Sequence, residues 1–327
     1  MQILMTKASH ERVAARLAAM APDAEVVTIH PGGGLEIDGR TVAADVVSPE
    51  VGWISIDSLF SGLMEPLADL AVARKVRWMQ VAAAGLDRPI FTTLMAGDVR
   101  LSKGAAQANP IAEYVVAHAF SLLHPIAEQG DLQAKHDWKR VNFREIGGSR
   151  WMLVGYGAIG HEIAKRIRPF GVDITTVRRS AVADELVDRS VTLADAPALL
   201  PQTDVVVLAC ALNDETRNLA NAAFFAAMKP GAILINIARG GVLDETALRD
   251  ALDRDQPGHA VLDVFETEPL PTASWIWDHP KVRVTAHTSN AGDGNMARGD
   301  DQFLANLKRY RAGEAPHNEA HKSEVGL

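Results

Sequence analysis

Two features of this 327-residue chain combine residue types capable of chemistry with a spacing that would bring them together. Gly155-Tyr156-Gly157-Ala158-Ile159-Gly160 directly follows the apolar run Met152-Leu153-Val154 and directly precedes a helix-period segment, His161 to Arg168. In a strand-turn-helix setting the first glycine permits a tight turn and the second lets the backbone approach a pyrophosphate. The third lets the helix pack close to the strand, and the helix N-terminus offers free N–H groups to the anion. Gly155, Gly157, Ala158, Ile159 and Gly160 are therefore expected to cradle a dinucleotide, the alternative being a plain glycine turn. About 20 residues further on, an acidic side chain would accept hydrogen bonds from the ribose of NAD. The chain has Arg178, Arg179 and Ser180 there instead. Two guanidinium groups and a hydroxyl supply charge-assisted donors to a 2′-phosphate, so NADP is expected in preference to NAD, with a solvated basic turn as the alternative.

Arg239 and His287 each follow an apolar strand-like run, at the end where open α/β sheets place their ligands. A guanidinium is a planar fork of donors suited to a carboxylate. An imidazole titrates near neutrality and can act as acid in one direction and base in the other. Without context, a loop arginine or any one of eleven histidines is a surface or packing residue.

The elements that must hold these groups read as βαβ units. Short apolar runs alternate with helix-period segments almost throughout, without a fixed repeat or a low-complexity tract. In the first part, strands are expected at Met1–Met5, Glu25–Thr28, Asp45–Val47, Val76–Val81 and Val99–Leu101. Helices are expected from His10 to Met20 and Leu63 to Arg74, and Pro31-Gly32-Gly33-Gly34 marks a turn into a hairpin over Leu35–Val42. Asn109-Pro110 opens a helix reaching about His124, and Trp138–Gly148 reads as irregular. A second series of strands follows at Trp151–Val154, Val172–Val177, Val205–Ala209, Ala232–Ile237, His259–Asp263 and Val282–Thr285. Phe303, Leu304, Leu307 and Tyr310 lie at helical spacing in a closing amphipathic helix.

Composition narrows the class. The chain is 47% hydrophobic and 23% charged, with 33 Lys and Arg against 41 Asp and Glu for a net charge of −8. This is a globular profile with length for about two domains, and it argues against a broad nucleic-acid-binding face, which draws its affinity from clustered basic residues. Cys210 is the only cysteine; it permits no intrachain disulfide and no cysteine-based zinc cluster, and a cytoplasmic location is expected. Tyr114 to Ala127, the longest stretch without Asp, Glu, Lys or Arg, is shorter than the roughly 20 residues of a membrane-spanning helix. Lys7 and Glu11 interrupt any signal-peptide core, so the mature chain is expected to start near Met1. No metal site is expected.

Over nearly its whole length the chain resembles the D-isomer-specific 2-hydroxyacid dehydrogenases, the group that includes glyoxylate/hydroxypyruvate reductases. The resemblance is carried by Gly155 to Gly160 and by Met228-Lys229-Pro230-Gly231 through Ile235-Asn236-Ile237-Ala238-Arg239-Gly240-Gly241. It is carried further by Leu262-Asp263-Val264-Phe265-Glu266-Thr267-Glu268-Pro269 and Val284-Thr285-Ala286-His287. It implies an α/β protein of two doubly wound parallel-sheet domains. A flavodoxin-like substrate domain would comprise residues 1–103 and 287–327, and a Rossmann cofactor domain residues 104–286, with the reaction in a cleft between them. It implies that Arg239 holds the substrate carboxylate and polarises the 2-oxo group, that His287 protonates the ketone oxygen, and that Glu268 orients the histidine. Glu268 is chosen over Glu266 because it directly precedes Pro269, as the family's catalytic glutamate usually precedes a proline.

The resemblance further implies that Ala83, Ala84 and Gly85 offer backbone N–H groups to the substrate carboxylate, small residues allowing close approach. Asp263 would contact the nicotinamide carboxamide, with a turn or cap role as its alternative. Ile237, Ala238, Cys210 and Ala211 would border the cofactor, Cys210 as a packed wall residue rather than a reactive thiol. A homodimer formed through the cofactor domain is expected, the Pro110–His124 helix contributing. Two departures bear on pocket shape: Ala286 stands where similar chains usually have proline, and Cys210-Ala211 replaces the usual Leu-Pro or His-x-Pro. The expected reaction is reduction of a small 2-oxo acid such as glyoxylate or hydroxypyruvate to the (R)-2-hydroxy acid with NADPH. The alternatives are oxidation of another small anion such as formate or phosphite, or a nucleotide-sensing role like that of the family's transcriptional corepressors.

Overall fold

The computed structural model describes residues 1–180 and 183–327. The chain folds as two compact units, Met1–Gln107 with Asp293–Leu327, and Ala108–Gly292.

The first unit runs β1 (Gln2–Thr6), α1 (Lys7–Met20), β2 (Glu25–Ile29), β3 (Leu35–Ile37), β4 (Arg40–Val42), β5 (Val51–Ile54), α2 (Ile56–Phe60), α3 (Met64–Ala73), β6 (Trp78–Val81), α4 (Pro89–Ala96) and β7 (Arg100–Ser102). Its seven strands lie in the order β4-β3-β2-β1-β5-β6-β7. The parallel part is the flavodoxin-like 2-1-3-4-5 order, extended at one edge by the expected hairpin, β3 and β4, which is antiparallel. The strand expected at Asp45–Val47 is instead a 3₁₀ turn over Ala44–Val46. The strand is β5, between β1 and β6. All four of its residues are buried, so it shows no two-residue alternation, and Gly52 weakens its β signal. A Cβ there would lie 2.7 Å from Met79 Cε, so the glycine gives the methionine side chain room against the strand. Helix α1 starts three residues before the expected point, at a Thr6 cap whose side chain accepts from Ser9 N. Helices α2 and α4 were not expected.

The second unit runs α5 (Ala108–Leu123), α6 (Ile126–Ala134), β8 (Arg150–Val154), α7 (Ala158–Ile167), β9 (Asp173–Val177), β10 (Arg189–Val191), β11 (Val205–Leu208), α8 (Ala222–Ala227), β12 (Ile233–Asn236), α9 (Glu245–Asp253), β13 (His259–Leu262) and β14 (Val282–Val284). The strand order is β10-β9-β8-β11-β12-β13-β14, every pair parallel. The first six positions are the 3-2-1-4-5-6 dinucleotide-binding order. Side chains of β8 alternate between faces: Trp151 and Leu153 pack with Ile111 and Val115 of α5 and Ile163 of α7, and Met152 and Val154 with Leu200, Phe225 and Leu248. Both faces are covered, as all-parallel sheets require. Short β10 and α6 carried too little pattern to be expected.

Helix α10 (Asn295–Arg311) returns the chain to the first unit. Phe303 stacks on Trp53 at 4.4 Å and Tyr310 on Trp78 at 5.3 Å, and large aromatic burial of this kind contributes about 1.5–3 kcal/mol per side chain. The tail then lies along β7, with Ala320 N donating to Leu101 O and Arg100 paired to Glu319 at 2.6 Å. The unit boundaries differ from the expected 103/104 and 286/287. Lys103 N and Gly104 N bond to Asn318 O and Ala83 O, inside the first unit. His287, Thr288 and Ser289 are bonded through their N–H groups to Asp263, which keeps them in the second.

Candidate active site

The glycine loop lies between β8 and α7, at the point where the strand order of the second sheet reverses. Gly155 has φ +102°, and a Cβ there would sit 2.6 Å from Ala209 O; on Gly160 it would sit 2.5 Å from Gly155 O. Gly157 is different: nothing lies within 4 Å of the position its Cβ would take. Helix α7 begins there without a side-chain cap. The first intrahelical bond is His161 N to Gly157 O, so the N–H groups of Ala158 and Ile159 at the positive end of the helix have no partner within it. The loop therefore fits a pyrophosphate on its own geometry.

Arg178 follows β9, its N–H donating to Val191 O at 3.0 Å. Its side chain is half-buried, and Arg179 and Ser180 are exposed. Arg179 Nε lies 3.6 Å from Glu215 Oε2 between two exposed side chains, a weak pair that a phosphate could displace. Tyr156, inside the fingerprint, donates to Asp184 Oδ2 at 2.8 Å, a tie between two loops that sequence reasoning missed. Cys210 and Ala211 follow β11; burial pushes the Cys210 thiol up to about 11, which keeps it protonated and unreactive near neutrality. A cavity of about 230 Å³ adjoins the last residue of β8, lined by Val154, Leu193, Pro197, Leu219, Asn221 and Phe224.

Ile237, Ala238 and Arg239 leave the C-terminal end of β12. The buried Asn236 shapes this turn with both ends of its amide, Nδ2 donating to Arg239 O and Oδ1 accepting from Ala238 N, each at 3.1 Å. Arg239 Nη1 donates to Ala238 O at 2.7 Å. Gly240 explains the residue that follows: its Cβ would lie 1.9 Å from the carbonyl carbon of Phe265. The arginine turn thus rests directly on the loop that carries Glu268. Gly240→Ala should force the two loops apart at a cost of about 1–3 kcal/mol, read as a lowered Tm in a thermal melt; an unchanged Tm would show that the loops separate freely.

Glu268 bridges two groups. Its Oε1 accepts from Phe265 N at 3.0 Å, and its Oε2 lies 2.8 Å from His287 Nδ1. The main-chain N–H of Glu266 donates to Glu245 Oε1 at 2.9 Å. An ionised carboxylate only accepts, so Nδ1 carries a proton and Nε2 is left to exchange one with a ligand. The side chains of His287 and Glu268 are 42% and 36% exposed, open to a substrate.

Asp263, at the end of β13, is 1% exposed. Its Oδ1 accepts from Thr285 Oγ1 at 2.6 Å and Thr288 N at 2.8 Å, and its Oδ2 from Ser289 N at 3.1 Å. Thr285 in turn meets Tyr114 of α5 at 2.7 Å. Thr285, Ser289 and Tyr114 were missed; none stands in a pattern that spacing along one segment could reveal. Ala83, Ala84 and Gly85 lie in the first unit, after β6. Their loop is fixed by Ala82 N to Ile54 O and Gly104 N to Ala83 O, both 2.8 Å. Among the described residues no three His, Cys, Asp or Glu side chains group as metal ligands, and no helix is long and apolar enough to cross a membrane.

Residues 116–289 match the family described as D-isomer specific 2-hydroxyacid dehydrogenase, NAD binding domain. Glyoxylate/hydroxypyruvate reductase A of Serratia proteamaculans is 30% identical over 209 residues, covering 64% of this chain and 66% of that protein. Glycerate dehydrogenase of Methylorubrum extorquens is 32% identical over 220 residues, covering 64% and 67%. Among solved structures, a D-isomer specific 2-hydroxyacid dehydrogenase from Xanthobacter autotrophicus in complex with NADPH and MES is similar over 98% of both chains, with a TM-score of 0.76 and 26% identity. An NADPH-dependent glyoxylate/hydroxypyruvate reductase from Sinorhizobium meliloti, in complex with NADP and sulfate, is similar over 99% of both, with a TM-score of 0.75 and 25% identity.

Proposed function

The chain belongs to the D-isomer specific 2-hydroxyacid dehydrogenases, and on that premise we propose that it reduces a small 2-oxo acid, such as glyoxylate or hydroxypyruvate, to the (R)-2-hydroxy acid with NADPH. The observation that carries the reading is the His287–Glu268 pair at 2.8 Å, held on a loop that touches the turn of Arg239. Bound at the Gly155–Gly160 loop, the nicotinamide cofactor supplies the hydride. Arg239 binds the carboxylate and draws electron density from the 2-oxo oxygen. His287 delivers the proton from Nε2, and Glu268 stabilises the imidazolium and fixes the ring.

Arg178, Arg179 and Ser180 hold the 2′-phosphate in this reading. The similar Xanthobacter and Sinorhizobium proteins, solved in complex with NADPH and NADP, support it. Steady-state kinetics with NADPH and NADH against a panel of 2-oxo acids tests the proposal; cofactor binding with no turnover of any member would favour a nucleotide-sensing role. Arg178→Asp is expected to raise KM for NADPH by about 10- to 100-fold, the worth of one or two charge-assisted bonds, and to change that for NADH little. Equal losses for both cofactors would refute the phosphate clamp.

A further inference from the structure

We propose that Tyr114 is a positioning residue for His287, acting through Thr285 and Asp263; the proposal rests on His287 being the proton donor. The direction of every bond in this chain follows from what each group can donate. The Asp263 carboxylate only accepts, so the single hydroxyl proton of Thr285 goes to Asp263 Oδ1, 2.6 Å away. Thr285 Oγ1 is then an acceptor, and the 2.7 Å contact with Tyr114 is a donation from the phenol. Burial pushes the Tyr114 hydroxyl up to about 12, so it keeps the proton it donates.

The chain ends on both sides of the histidine. Asp263 accepts from Thr285 before it, from Thr288 N and Ser289 N after it, and through its own backbone carbonyl from His287 N at 2.8 Å. His287 has φ +52°, a region that a side chain with a Cβ rarely adopts unless its surroundings impose it. Almost no water reaches the 1%-exposed Asp263 to compete with these bonds. One-way hydrogen-bond chains in such surroundings reinforce one another. Tyr114 is held in turn: its ring lies against His118, with ring centroids 4.2 Å apart. The phenol thus anchors the proton-donor turn to α5.

The test combines Tyr114→Phe, Thr285→Val, Thr285→Ser and the double variant Tyr114→Phe/Thr285→Val. Removing one hydrogen bond of ordinary net worth should lower kcat about 5-fold in Tyr114→Phe. Thr285→Val, which breaks the chain beside Asp263, should lower it about 10- to 50-fold. Thr285→Ser restores the hydroxyl and should stay within about 3-fold of the parent. The double variant should be no worse than Thr285→Val, because members of one chain are not additive. KM for NADPH should be unchanged throughout, which separates this role from a contact to the cofactor. Nitrogen-15 NMR of the His287 ring gives a readout independent of any substrate: the Nδ1–H signal of the bond to Glu268 should broaden or shift in Thr285→Val and persist in Thr285→Ser. Parental kcat and ring signals in Tyr114→Phe and Thr285→Val, or losses confined to KM for NADPH, would overturn the proposal. A wrong substrate assignment shows instead as an inactive parent, and the NMR comparison still decides the role of Tyr114.

Discussion

Replacing His287 with alanine is expected to lower kcat about 10³-fold, within the range that a positioned proton donor contributes, while leaving NADPH binding close to that of the parent. Nε2 is the ring atom left free once Nδ1 is bonded to Glu268 at 2.8 Å. The main-chain bond from His287 N to Asp263 O does not involve the ring, so the variant keeps the turn and loses only the imidazole. The dinucleotide loop is built by β8 and α7, separate from the turn after β14, and fluorescence titration with NADPH should show that it is intact. Glu268→Gln makes the complementary point. It preserves shape but removes the carboxylate charge that faces Nδ1 at 2.8 Å, so kcat should fall about 10- to 100-fold, the worth of a charge-assisted bond, while KM for NADPH stays near the parental value. Near-parental kcat in His287→Ala would identify a different acid.

Arg239→Ala is expected to lower kcat/KM for the 2-oxo acid by about 10³-fold, roughly 4 kcal/mol of transition-state stabilisation. Both parameters should suffer: KM because the carboxylate loses a charge-assisted fork, kcat because the developing charge on the 2-oxo oxygen loses a donor. Asn236 bonds to the carbonyl of Arg239 and the N–H of Ala238, so the turn survives loss of the side chain. Arg239→Lys keeps the charge without the planar fork and should recover only part of the loss. If kcat/KM in Arg239→Ala stayed near the parental value while His287→Ala was inactive, the carboxylate would have to be held elsewhere.

Legibility followed the range of the interaction. Glycine positions were readable because each answers a local demand: Gly155 and Gly160 are crowded by backbone 2.6 and 2.5 Å from where a Cβ would be, and nothing lies within 4 Å of that position at Gly157. Strand β5 was missed because burial of all its residues removed the alternation by which a half-buried strand announces itself. The choice of Glu268 over Glu266 came from the resemblance; the physical difference between them is that one reaches His287 and the N–H of the other is bonded to Glu245.

The alternation of strands and helices, the dinucleotide loop, the basic pair after β9, and the arginine and histidine at strand ends are readable along the chain, because strand period, glycine sterics and charge are properties of single segments; the arrangement as two doubly wound domains is what the family resemblance implied. Only the tertiary structure decided that Asp263 turns its carboxylate to the 285–289 turn, that Gly240 lies against Phe265, and that a tyrosine from α5 closes the chain of bonds behind His287. Tyr114, Asp263 and Thr285 stand on three elements far apart in sequence, and hydrogen-bond partners at such separations are chosen by which strands lie side by side. In this protein that choice is the parallel pairing of β13 with β14, which sets Asp263 beside Thr285.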